Sequence, residues 1–225
     1  LSDGTLSPLE HRRESVTDIV YTSIRAAIIG RDLAPGAPVT EAALSAQLSV
    51  SKTPVREALL RLTHIGLIEP DPRRGSRVVV PSRGALRESY EVRIAVECEA
   101  ARLVAERALS VPELAGLEDL ARRSVARAES DDHEGFWELD REFHLLMADL
   151  AGNARLGLLV EDAVDLAWIL RRRDSPSADA SVACARQHVD LHAAVAAADP
   201  ARAEAAMRLH LTDVQDTVLA AFTEP

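Results

Sequence analysis

Two short stretches of this chain bring together residue types that can do chemistry. The first is "DREFH", residues 140–144, in which Asp140 stands one helical turn before His144. Phe136, Trp137, Phe143 and Met147 recur around that pair at helical spacing, so both polar groups belong to the helix face that should enter a core. A carboxylate placed there must find a partner. An ion pair, a hydrogen-bonded core histidine and a metal ion would each satisfy it. The second stretch is "LSVSKTPVREALLRL", residues 48–62, which gathers Ser51, Lys52 and Thr53 at a helix N-terminus with Arg56 one turn on. Amides and hydroxyls at a helix start can hold phosphates, and a guanidinium one turn further can reach guanine O6 and N7 in a major groove. A helix cap followed by a solvated charged face is the plainer alternative for the short stretch alone.

The elements needed to position these groups can be read from punctuation and periodicity. "SVTDIVYTSIRAAIIG" reads as a helix closed by Gly30, followed by the turn "DLAPGAPV" and a helix from Thr40 or Glu41 to Leu48. A further helix starts near Thr53, with Pro54 in its first turn, and runs to about His64 before Gly66. Val55, Leu59, Leu62 and Ile65 give it a core face. "IEPDPRRGSRVVVPS" then reads as strand, turn over Asp71 to Gly75, and a β-branched strand. Helix, helix, turn, helix and hairpin make a winged helix-turn-helix. From about Arg83 the pattern is helical, broken at 110–112, 130–132, 152–153, 174–179 and 199–200. Six helices with short connections predict an antiparallel bundle in which sequence neighbours pack together. The expected fold is mainly α, with a winged helix-turn-helix over residues 1–81 and an antiparallel six-helix bundle over 82–225. Residues 1–14 are expected to form a flexible arm. The chain starts at Leu1 without a methionine, so further residues are expected before it.

Composition bounds the function. Hydrophobic residues make up 47% and aromatics 3% of the 225 residues, a globular, helix-favouring balance. No apolar run reaches the roughly 20 residues needed to cross a bilayer, and the N-terminus lacks a signal-peptide centre. A cytoplasmic protein without membrane contact is expected. Cys98 and Cys184 lie inside helical patterns with no paired spacing, so they read as reduced core residues. The net charge of −10 argues against nucleic acid only until its distribution is seen. Residues 1–80 carry 10 Lys and Arg against 9 Asp and Glu, while the remainder carries 16 against 27. The acid is in the second part, and the first can still present a basic surface.

In its order and spacing, the run "E..L...L.VS.TPVREAL.RL...GLI", preceded by the Pro-Gly turn and followed by "P.RG..V", resembles the DNA-binding domain of the GntR family of bacterial transcriptional regulators. The resemblance implies that Ser51, Lys52, Thr53 and Arg56 face DNA, with Arg73, Arg74 and Gly75 in a wing that also carries Arg77. Lys52 stands where the family usually has arginine, and Ala42 where some members have a DNA-contacting arginine. The operator sequence is therefore not transferable. The family's usual dimerisation implies an inverted-repeat double-stranded operator and a homodimer.

"SYEVRIAVECEAARLVAERA", "DREFHLLMADLAGNARL" and "QHVDLHAAVAAADPARAEAAMRLHL" resemble the helical FCD ligand-binding domain of the FadR-type branch, with six helices as in its VanR-type subgroup. Members of this branch often hold a divalent metal through one aspartate and three histidines, and the matching positions are Asp140, His144, His188 and His210. Spacing agrees independently. His188 lies about 11.5 residues before the Asp199–Pro200 break and His210 about 10.5 after it, each roughly 16–17 Å away at 1.5 Å per residue. Antiparallel helices would bring the two to one level, both on apolar faces. His192, only 7.5 residues before the break, fails this test. Zinc, nickel and manganese are not distinguished by such a ligand set, and an octahedral ion would keep two positions open for water or an organic acid. Arg93, with Tyr90 and Glu97 on its helix face, is a candidate to bind the acid's carboxylate, as is Asn153 at the 152–153 break; an ion pair of Arg93 with Glu97 alone is the alternative.

Three functions remain open on these residues. One is a dimeric regulator whose bundle senses a small carboxylate through a metal. Another is a metal-dependent enzyme carrying a DNA-binding domain, and in the third the metal is itself the signal or is merely structural. An enzyme needs a general acid or base near the open positions. Glu142 should point away from Asp140, and no Ser-His-Asp or zinc-protease pattern occurs. No catalytic residue is assigned, and the sensor is favoured.

Overall fold

Caps set most of the helix boundaries. The computed structural model describes residues 15–72, 75–171 and 178–222, which divide into two compact units over residues 1–79 and 80–225. In the first unit, α1 (Val16–Ile29) begins with a capping box. The Ser15 hydroxyl accepts from the Asp18 amide and the Asp18 carboxylate accepts from the Ser15 amide. Thr40 caps α2 (Glu41–Leu48) through the Ala43 amide. Ser49, at φ 54°, turns the chain into α3 (Lys52–His64). Gly66 at φ 80° closes α3 in a backbone conformation that a side chain would strain.

The hairpin pairs β1 (Ile68–Asp71) with β2 (Gly75–Val78) antiparallel, Ile68 opposite Val78. The loop read as a simple turn does more than connect. Gly36 and Val39 donate to the Val78 and Ser76 carbonyls at 3.0 and 2.9 Å, and Ala37 accepts from the Val78 amide at 3.0 Å. It covers the free edge of β2 and satisfies backbone groups that would otherwise be unpaired. Val20, Ile24 and Ile28 of α1 meet Val55, Leu59 and Leu62 of α3 in the core, with Leu67, Ile68 and Val78 beneath. Ile65, expected on that core face, is only partly buried because α3 ends there and the chain turns away. Arg73 and Arg74 lie outside the described residues.

The second unit contains α4 (Arg83–Glu106), α5 (Val111–Glu129), α6 (His133–Leu150), α7 (Ala154–Arg171), α8 (Ala178–Ala196) and α9 (Pro200–Ala221). Sequence neighbours pack together for α5 and α6, α6 and α7, and α8 and α9. The expectation does not extend to α7 and α8, since α8 packs mainly on α5 and α9, nor to α4. Its main partners are α9 and α7, and it also touches α6 and α8. Its sequence allows this central place, because Cys98, Ala100, Ala101 and Ala105 are small enough for helices to close on several sides. Phe143, Met147, Leu117, Leu191 and Leu211 fill the shared core. Among the described residues, no helix is long and apolar enough to cross a membrane.

Candidate functional site

In the first unit, Ser51, Lys52, Thr53 and Arg56 are all exposed at the start of α3, while Val55 one residue earlier than Arg56 is fully buried. The helix thus turns its hydroxyls and cations outward from a fixed base. Arg56 is not a loose side chain. Its Nε and Nη2 donate to the two Glu41 carboxylate oxygens at 2.8 and 2.9 Å, which holds the guanidinium flat against the first turn of α2. Glu41 was not anticipated from sequence, since a spacing of 15 residues crosses a helix boundary and a turn. Gly75 opens β2 at φ 88° and is exposed. Arg77, also placed in the wing, pairs across the hairpin with Glu69 at 2.7 Å.

In the second unit, the "DREFH" pair does enter the core: Asp140 and His144 are 3% and 1% exposed. His188 of α8 and His210 of α9 meet them there, also buried. His144 Nε2 is 3.2 Å from His210 Nε2. Asp140 Oδ1 is 3.5 Å from His188 Nε2 and 3.8 Å from His144 Nε2. Two donors held at about 2.0–2.2 Å from one cation stand roughly 3.0–3.5 Å apart at right to tetrahedral angles, so these separations are within a few tenths of an ångström of a ligand set.

The outer nitrogens agree with this. Each ring turns Nδ1 toward an acceptor: His210 toward Gln187 Oε1 at 3.0 Å, His188 toward Ser124 Oγ at 3.5 Å and His144 toward Glu97 Oε2 at 2.5 Å. The last contact is close but lacks aligned hydrogen-bond geometry. Gln187 is oriented in turn by donating to Asp213 at 2.6 Å, and Ser124 by donating to the Ala121 carbonyl. In His210 and His188 backing of this kind favours the tautomer with the proton on Nδ1 and the Nε2 lone pair facing inward. A hydrogen bond between His144 and His210 would satisfy those two rings only. His188 Nε2, fully buried, would still have no hydrogen-bond partner. One cation placed among them would satisfy all three.

Burial would raise the Asp140 carboxyl, but Arg171 and the three imidazoles hold it below the usual carboxylate range. For His188, burial outweighs Asp140 and lowers the pKa to about 3, and His210 is lowered by burial and by its histidine neighbours. Both rings are therefore neutral near pH 7, the protonation state a metal ligand needs. Glu97, opposed by burial but held by Arg93 and His144, is lowered to about 2.

Arg93 and Tyr90 lie at this cluster, both buried. Arg93 Nε donates to Glu97 at 2.6 Å, which is the ion pair weighed from sequence. Asn153 is elsewhere. It is exposed and caps α7 by accepting from the Leu156 amide at 3.2 Å. His192 is outside the group whose donor atoms all lie within 4.8 Å of one another, which is Asp140, Cys184, His188 and His210; of the four expected ligands, that group leaves out His144. Two residues at the cluster were not singled out from sequence. Arg171 is buried, with Nη1 3.4 Å from both Asp140 Oδ2 and the Tyr90 hydroxyl. Nothing in the sequence "LRRRD" marks it. Cys184, taken as core filler, has Sγ 3.6 Å from Asp140 Oδ1. Its position one turn before His188 was the available signal.

Comparison with known proteins agrees with both units. Residues 17–78 match the model of bacterial regulatory proteins of the gntR family, and residues 88–213 match the FCD domain. The HTH-type transcriptional repressor RspR of Escherichia coli K12 is 29% identical over 205 residues, which cover 91% of this chain and 90% of the repressor. An HTH-type regulator in an unstable DNA locus of Streptomyces ambofaciens is 35% identical over 205 residues, 88% of this chain and 83% of its own. The crystal structure of a GntR regulator from Rhodococcus sp. RHA1 is 26% identical and superposes with a TM-score of 0.74 over 92% of this chain and 99% of its own. These are regulators and not enzymes, which removes the metal-dependent enzyme from the open readings. With a winged helix-turn-helix followed by an FCD helical domain, the chain belongs to the GntR family of DNA-binding transcriptional regulators.

Proposed function

We propose that this regulator acts in the cytoplasm as a homodimer on an inverted-repeat operator, and that its FCD domain senses a small organic acid through a divalent metal. The DNA reader would span residues 1–81, with Ser51, Lys52, Thr53 and Arg56 in the major groove and the wing residues Arg73, Arg74 and Gly75 on the flanking backbone. The sensor would span residues 82–225 and bind the metal through Asp140, His144, His188 and His210. Its six described helices, α4 to α9, support the VanR-type subgroup. The observation that carries the sensor reading is the set of inward Nε2 atoms beside Asp140 Oδ1, with His210 and His188 hydrogen-bonded at Nδ1 and His144 Nδ1 close to Glu97.

The bound metal would supply positive charge and open coordination positions for an acid. The protein's own groups supply the rest. Arg171 and the Tyr90 hydroxyl stand beside Asp140 Oδ2, and a cavity lined by Phe136, Arg171, Ser181, Cys184, Gln187 and Asp213 reaches the Arg171 side chain. A carboxylate there meets a buried guanidinium, the stronger kind of polar contact. Arg93 supports Glu97, which in turn backs His144, so Arg93 couples an acid to the metal even where Arg171 makes the first contact. In the chain, α4 carries Tyr90, Arg93 and Glu97 and follows β2 through residues 79–82. A shift of α4 would reach the DNA reader along this chain connection.

A ligand changes DNA affinity only by its differential binding to two arrangements, and couplings of about 1–3 kcal/mol are typical. Organic acids screened by thermal shift, followed by operator titrations with and without a chelator, test the proposal. The expected result is an acid that changes operator affinity about 5–150-fold and whose effect is blunted by chelation. An acid response that survives chelation undiminished would defeat the metal-bridged mechanism. Loss of operator control on chelation, with no acid having any effect, would make the metal itself the signal.

A further inference from the structure

Cys184 stands one helical turn before His188 on α8, as Asp140 stands one turn before His144 on α6. Two i,i+4 pairs thus face one another from packed helices. Cys184 is 7% exposed, its Sγ is 3.6 Å from Asp140 Oδ1, and the donor atoms of Asp140, Cys184, His188 and His210 all lie within 4.8 Å of one another. The buried, unpartnered His188 Nε2 opens into the same space. A metal–sulfur bond of about 2.3 Å beside a metal–oxygen bond of about 2.1 Å puts the two donors roughly 3.1–3.6 Å apart, which matches the observed separation. A cysteine that only filled the core would be expected against apolar neighbours, since a thiol is a weak hydrogen-bond donor to a carboxylate.

We infer that Cys184 binds the divalent cation as a thiolate alongside Asp140 and the histidines, and that the site therefore selects a borderline-soft cation such as zinc or cobalt over manganese. This rests on the metal reading proposed above and extends it to a ligand of different chemistry. On binding, the Sγ–H bond breaks, its proton leaves to solvent, and the sulfur electron pair forms the bond to the cation. The charge balance favours this. The Arg93–Glu97 pair is self-neutralising, so a dication with Asp140 and Arg171 leaves two uncompensated positive charges in a buried space. The thiolate removes one of them, and an acid effector would remove the other. Thiolate is also the ligand that separates the candidate ions, because imidazole and carboxylate accept manganese as well as zinc, whereas sulfur does not favour manganese.

The test is the absorption spectrum and cobalt content of the full chain loaded with cobalt(II). The parent protein should bind cobalt stoichiometrically and show an intense near-ultraviolet sulfur-to-cobalt charge-transfer band. Cys184→Ala and Cys184→Ser should still take up cobalt through Asp140 and the histidines but lose the band, while Cys98→Ser keeps it. In competition, the preference for zinc over manganese should fall about 10–100-fold in Cys184→Ala, the scale on which a supporting group tunes a metal site. Stoichiometric cobalt without the band in the parent protein, or a band surviving in Cys184→Ala, would overturn the thiolate and leave the Asp-His site standing. Failure of the parent protein to bind cobalt or zinc at all would overturn both. Should the Cys184 variants not fold, the parent spectrum with Cys98→Ser as its control decides the matter.

Discussion

The charged groups at the head of α3 and those inside the bundle are held in opposite ways. Arg56 and Glu41 form a two-point ion pair whose side chains are 65% and 33% exposed. Water screens that pair, so exchanging Glu41 for a phosphate or a base edge costs little. Asp140, Arg171, His188 and His210 are all nearly or wholly buried. There each polar atom depends on its neighbours, because an unpartnered charge in the core is penalised far more than a pair is rewarded. An exposed pair suits a surface that would exchange one partner for another, and a buried cluster suits a site that would hold an ion.

The strongest way to break this contrast is Asp140→Ala. It leaves Arg171 buried beside Tyr90 without its carboxylate, and should cost about 3–5 kcal/mol of folding stability as well as the bound metal. Urea unfolding of the chelated protein, together with metal analysis, measures the two effects separately. Near-parental stability in the chelated variant would show that the cluster is not a mutually dependent core.

Arg56→Ala should act in the other direction, lowering operator affinity about 10–100-fold and flattening sequence preference while the unfolding midpoint stays within error of the parent. Operator titrations beside a thermal melt decide it. A variant that binds its operator as tightly as the parent would remove Arg56 from the interface. A smaller effect is expected from Arg74→Ala, which should weaken all DNA sequences alike and reduce the salt slope of binding by about one. Titrations at several salt concentrations read that slope, and sequence-selective weakening would move Arg74 from the backbone to a base.

The smallest effects sharpen the comparison. Glu41→Ala should leave the melting curve unchanged, as an exposed pair contributes little, and a marked loss of stability would mean that the Arg56 pair belongs to the framework. His192→Ala should leave metal content unchanged where His188→Ala lowers it. Equal losses from the two would mean that the register of α8 against α9 has been misread.

Much of this could be read from the chain because it depends on local geometry. Pro, Gly and capping residues placed most of the helix ends, with Thr40 before α2 and Gly66 after α3, whereas α4 ends at Glu106, short of the break read at 110–112. The level of His188 with His210 follows from a constant rise per residue and one recognisable break at Asp199–Pro200, and their rings do meet, 4.8 Å apart. The spacing of "VS.TPVREAL" likewise carried the DNA reader, since an exposed turn at the head of a helix needs nothing distant to define it.

What only the tertiary structure decided are the partners that come from other elements. Arg171 looks like one cation in a basic run until α7 is packed against α4 and its side chain is buried beside Asp140. Cys184 has an apolar helical neighbourhood in sequence, yet its sulfur faces a carboxylate contributed by a different helix. Glu41 meets Arg56 only because the turn at Ser49 sets α2 against α3, and Asn153 caps α7 on the surface rather than reaching the buried cluster. Composition and periodicity determine which face of each helix is buried. Which buried groups then touch depends on how several helices pack at once, and periodicity within a single helix carries no record of that.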